Sequence, residues 1–181
     1  MPTGVAWVTN TMASQTTHQD RAPRGVVAVG VSAGGVEALT SFAAGLPESL
    51  PYAILIVLHL PPNAPSVLAM IIDRSGPLPA VCAAHDAVLE AGRIHVAVPD
   101  RLFVRDHRVI VSEGPMENRY RPAINALFRS VALNVGPRSI GVLISGVLDD
   151  PEFGSAAIRA RGGTTVVARS QFRSVVCGLW P

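Results

Sequence analysis

From Gly25 onward, short apolar runs alternate with longer segments whose apolar positions recur at helical spacing. Val26–Val29 is the first such run, stopping at Gly30, and Tyr52–Leu58 (Tyr-Ala-Ile-Leu-Ile-Val-Leu) is the second, closed by Pro61-Pro62. Neither alternates with polar residues, which marks strands covered on both faces, as in a parallel sheet. Ser139–Ile144 repeats the pattern, and Thr164–Ala168 reads as a final strand. Helices are predicted over Glu37–Gly45, Ser66–Arg74, Pro122–Asn134 and Gly154–Arg161. In the third, Ile124, Leu127, Phe128 and Val131 share one face, and Pro122 stands near the start, where its missing N–H is tolerated. Ala80–Ala83 and Ile94–Ala97 are short strand candidates. Leu102–Arg105 and Arg108–Val111 flank Asp106-His107 as hairpin arms flank a two-residue turn. The alternation predicts an α/β fold: a doubly wound, mainly parallel sheet flanked by helices, with an inserted antiparallel β-hairpin.

Composition narrows the class. The chain has 181 residues, 49% of them hydrophobic and 15% charged, which suits one domain with a substantial core, here 25–181. Residues 1–24, rich in Thr, lack a signal peptide's basic-then-apolar layout. They read as a disordered N-terminal extension, or as an over-long start with Met12 nearer the true one. The formal charge of +2 is spread along the chain, so nucleic-acid binding has no specific support. No run approaches the ~18 apolar residues of a membrane span. Two cysteines, Cys82 and Cys177, match no metal spacing, and a reducing cytoplasm is the expected location.

The chemistry-bearing residues fall at predicted strand tips. Gly30-Val31-Ser32-Ala33-Gly34 matches G-x-S-x-G between the first strand and the first helix. Three readings are open: a small-residue packing turn, a dinucleotide loop, and a nucleophile elbow. Ser32 occupies the second glycine's place in G-x-G-x-x-G, which weakens the dinucleotide loop. His59 follows the buried run ending at Leu58. The carboxyl ends of parallel strands open onto one sheet edge, so His59 and Ser32 are expected together there. His18, His85, His95 and His107 lie in the tail, a loop, a strand and a turn, and none shares that placement. The strand ending at Ile144 leads through Ser145-Gly146-Val147-Leu148 to Asp149-Asp150-Pro151, where one carboxylate can orient a histidine. Helix capping is the competing role for Asp150, since Asp before Pro is a common helix start.

The combination Val-Gly-Val-Ser-Ala-Gly-Gly, Val-Leu-His-Leu and Ile-Ser-Gly-Val-Leu-Asp-Asp resembles the catalytic domain of the chemotaxis receptor methylesterases, the CheB family. Ile94–Arg101, Gly114–Pro122 and Leu127-Phe128-Arg129-Ser130 are similar to it as well, in the same order, over roughly Gly25 to Ala168. The resemblance implies a protein-glutamate methylesterase, demethylating glutamate methyl esters on the cytoplasmic helices of methyl-accepting chemoreceptors. Deamidation of receptor glutamines is a second implied activity. It further implies Ser32 as nucleophile, His59 as general base, Asp150 as the acid, and the backbone N–H groups of Ala33 and Val147 as oxyanion donors. No metal or cofactor is implied. The chain order Ser, His, Asp differs from the Ser, Asp, His order of α/β-hydrolases, which argues against a lipase-like enzyme.

Some positions depart from the family. Pro151 stands where glycine usually follows the acid, and it restricts the backbone of Asp150. Asn125 stands where aspartate is common. After Ala168 the family continues into a loop and closing helix, whereas this chain ends in Arg-Ser-Gln-Phe-Arg-Ser-Val-Val-Cys-Gly-Leu-Trp-Pro, so a shortened C-terminus from about residue 169 is expected. The phosphorylatable receiver domain is not in this sequence. A catalytically impaired homologue that binds a receptor or signalling partner is therefore the alternative.

Overall fold

The computed structural model describes residues 22–31, 35–58, 67–98, 101–113, 122–144 and 152–168. In chain order the elements are β1 (Gly25–Val31), α1 (Val36–Ala44), β2 (Tyr52–Leu58), α2 (Leu68–Asp73), β3 (Ala80–Cys82), β4 (Ile94–Val96), β5 (Arg101–Arg105) and β6 (Arg108–Ser112). They continue with α3 (Ile124–Val135), a 3₁₀ turn (Gly136–Arg138), β7 (Ser139–Ile144), α4 (Glu152–Ala160) and β8 (Thr164–Ala168). Six strands form one sheet in the order β3-β4-β2-β1-β7-β8. Every neighbouring pair in it is parallel. The hairpin β5–β6 is a separate antiparallel pair. The expected α/β class holds.

β1 and β2 lie at the centre of the sheet, and all of β1 is buried. Alternate residues feed two cores. Val27, Val29 and Val31 face Leu39 and Phe42 of α1 and Ile72 of α2. Val26 and Ala28 face the other side, with Leu127, Phe128 and Val131 of α3, Ile158 of α4 and Val104 of the hairpin. Continuous apolarity in the sequence is thus two interleaved apolar faces, each with a period of two. Burial of each large aliphatic side chain contributes roughly 1.5–3 kcal/mol before entropy is counted.

Several boundaries shift for physical reasons. β1 does not stop at Gly30: the strand runs through it to Val31, pairing Gly30 with Val57 of β2 and Leu143 of β7. Pro122 does not open α3, because Ala123 (φ −108°, ψ 126°) is still extended and the helix begins at Ile124. α4 starts at Glu152, two residues before the predicted Gly154. The predicted hairpin turn is present, with Asp106 and His107 both left-handed (φ 49° and 59°) as a type I′ turn requires. The hairpin is fastened to α3 at Val104, whose N–H donates to Ser130 Oγ (3.0 Å) and whose carbonyl accepts from Asn134 Nδ2 (2.9 Å). Two side chains one helical turn apart therefore satisfy the backbone of β5 at that position. Among the described residues, no helix is long and apolar enough to cross a membrane.

Candidate active site

Three neighbouring strands end level with one another. Val31, the last residue of β1, pairs with Leu58, the last of β2, and with Ile144, the last of β7. Adjacent strands are about 4.8 Å apart, so the three strand ends lie side by side at one edge of the sheet. Connections run from β1 toward β2 through α1, and from β7 toward β8 through α4, on opposite faces of the sheet. The interval between β1 and β7 is accordingly the point where the winding reverses, which is where ligands bind in open α/β sheets.

Ser32 and Ala33 follow Val31 directly in sequence, His59 follows Leu58, and Val147 and Asp150 lie between Ile144 and Glu152. All five lie outside the described residues, as does Pro151. Beyond Ser32, α1 begins at Val36; its N-cap Gly35 supplies no side-chain hydrogen bond. The helix's positive end stands four residues past the serine in the chain.

The first turn of α3 braces both sides of the winding reversal. A Cβ on Gly30 would lie 2.5 Å from Cγ2 of Ile124, so only glycine lets α3 approach β1 this closely. The next residue, Asn125, is 1% exposed, and its Oδ1 accepts the Gly154 N–H at 2.7 Å. Gly154 is the third residue of α4, and a Cβ there would lie 2.7 Å from Asn125 Oδ1 and 2.8 Å from Cβ of Phe128. In the sequence Asn125 stands out only as a departure from the family, and Gly30 as the glycine at which the first apolar run stops. The partners of both are remote in sequence, and no local signal announces them.

The other histidines within the described residues stand apart. His95 sits in β4, 2% exposed, between Leu55 of β2 and Val81 of β3 in register, and neither ring nitrogen has a hydrogen-bond partner among the described residues. Burial lowers its pKa from 6.5 to about 4; Arg93 adds to that effect and Glu90 opposes it. It is a neutral core residue. His85 Nδ1 lies 3.3 Å from the Val111 N–H, in a loop packed on the hairpin, and His107 is in the hairpin turn.

Comparison with known proteins agrees with this geometry. The family model described as CheB methylesterase matches residues 27–179. A protein-glutamate methylesterase/protein-glutamine glutaminase of Methanosarcina mazei is 34% identical over 165 residues, covering 86% of this chain and 45% of that protein. One from Anaeromyxobacter dehalogenans is 38% identical over 161 residues, covering 87% of this chain and 47% of that protein. The chain thus spans about half the length of the curated relatives it matches. The crystal structure of the Thermotoga maritima CheB methylesterase catalytic domain superposes with a TM-score of 0.72 at 25% identity, covering 78% of this chain and 77% of that one. Motif order, strand topology and these matches agree: the chain belongs to the CheB methylesterase family.

Proposed function

We propose that this chain is a serine hydrolase of the protein-glutamate methylesterase type. It would act in the cytoplasm on glutamate methyl esters of chemoreceptor helices. Ser32 Oγ attacks the ester carbonyl while His59 takes its proton, and Asp150 stabilises the resulting imidazolium. The tetrahedral oxyanion rests on the N–H groups of Ala33 and Val147. His59 returns the proton to the departing methoxide, methanol leaves, and water then hydrolyses the acyl-enzyme to free glutamate and serine. The same sequence with an amide substrate releases ammonia, which is the glutaminase reaction in the relatives' names.

The observation that carries the reading is the register of the strand ends. Val31 pairs with Leu58 and with Ile144, and the segments that follow these three residues contain Ser32, His59 and Asp150. A fluorophosphonate probe tests it. One adduct per chain is expected, lost in Ser32→Ala and strongly slowed in His59→Ala. A sample with a cooperative thermal melt that takes no label would favour the alternative, a homologue that binds without catalysing.

A further inference from the structure

The contact between α3 and α4 reaches toward the segment that carries the acid. We propose that Asn125 is a positioning residue for the esterase reaction, holding the start of α4, the helix that follows the acid Asp150 in the chain. This rests on the reading of Asp150 and Val147 given above.

The first N–H groups of any helix lack intrahelical acceptors, and a local cap ordinarily supplies one. At the third residue of α4 the acceptor comes instead from another helix, Asn125 Oδ1, 2.7 Å from the Gly154 nitrogen. Gly154 therefore makes no demand on a carboxylate of the preceding Asp149-Asp150 pair. β7, which precedes Ser145 in the chain, pairs with β1 and β8 on its two sides. α4, which follows that segment in the chain, is held at its third residue by the buried Asn125 amide, in a contact so close that a Cβ on Gly154 would meet Asn125 and Phe128 together. Ile124, one residue earlier, packs on Gly30 of β1, two residues before Ser32. A single helical turn thus sets α4, which follows the acid in the chain, relative to β1, which precedes the nucleophile. Asparagine and aspartate both offer an oxygen at this place, which accounts for the family's common aspartate being replaceable here.

The experiment is steady-state methanol release from a methylated receptor fragment across pH. A misplacement on the order of 1 Å costs about 10²-fold, so Asn125→Ala is expected to lower kcat roughly 10- to 100-fold with KM within about twofold. Asn125→Asp, which keeps the acceptor, is expected to stay within about threefold of wild type. With Asp150 misaimed, His59 loses a stabilising charge, so the acidic limb of kcat/KM moves to lower pH in Asn125→Ala and not in Asn125→Asp. A purely structural role would lower the melting temperature and leave that limb in place. An alanine variant with kcat within about twofold of wild type, or an aspartate variant as impaired as alanine, overturns the inference. If the alanine variant does not fold, Gly154→Ala, which forces the helices apart, decides by the same readings. Methanol release by the wild type with an unimpaired alanine variant removes only the positioning role, whereas no release by the wild type removes the esterase reading as well.

Discussion

His95 makes folding stability depend on pH in a way that one substitution can isolate. Its folded-state pKa is about 4 and its unfolded value 6.5. Below pH 6.5 the unfolded chain therefore binds a proton that the folded chain refuses. The stability linked to this difference is complete above the unfolded pKa, falls as pH drops through the interval, and is wholly lost below about 4. The difference between 6.5 and about 4 corresponds to about 3 kcal/mol, most of it gone by pH 4.5. That is a large part of a domain's total of ~5–15 kcal/mol. Urea unfolding at pH 7.5 and 4.5 should show it as a drop in midpoint beyond that of His95→Leu, which fills a similar volume beside Leu55 and Val81. Titrating carboxylates contribute to both slopes and cancel in the comparison. Equal acid losses in wild type and His95→Leu would refute the reasoning.

Gly30→Ala should lower the melting temperature, because its Cβ would sit 2.5 Å from Ile124 Cγ2; overpacking of this kind costs about 1–3 kcal/mol. Adding Ile124→Ala removes the clash, so the double mutant should be more stable than the sum of the single losses, by about 1 kcal/mol in a thermal or urea cycle. Asn134→Ala removes a donor to the Val104 carbonyl and should cost about 1 kcal/mol, with faster amide exchange in β5 as the local readout. His107→Gly, at φ 59°, relieves a left-handed side chain and should raise stability by about 1 kcal/mol, read as a higher urea midpoint.

The sheet was legible because burial on both faces leaves little room for polar residues in β1, β2 and, after its first residue Ser139, β7, so each strand appears as an apolar run. The Asp106-His107 turn was legible because two short polar residues between apolar arms suit two successive left-handed conformations. The roles of Gly30 and Gly154 were not. Each is glycine because a helix distant in the chain approaches its backbone, and a lone glycine reads locally as a break, which misplaced the ends of β1 and α4. Asn125 and Asn134 were hidden for the same reason, since each hydrogen-bonds a backbone group about 30 residues away. The serine, histidine and acid stood out by their strand-tip positions, and the topology brings the strand ends before them level. The neutrality of His95 follows chiefly from burial, with Arg93 adding to it, and a sequence position does not express burial.

Methanol release from a methylated chemoreceptor fragment tests the central claim most directly. The wild-type chain should release methanol in step with the loss of receptor methyl esters, and Ser32→Ala should release none while melting at an unchanged temperature. Equal release by wild type and a folded Ser32→Ala would contradict the account.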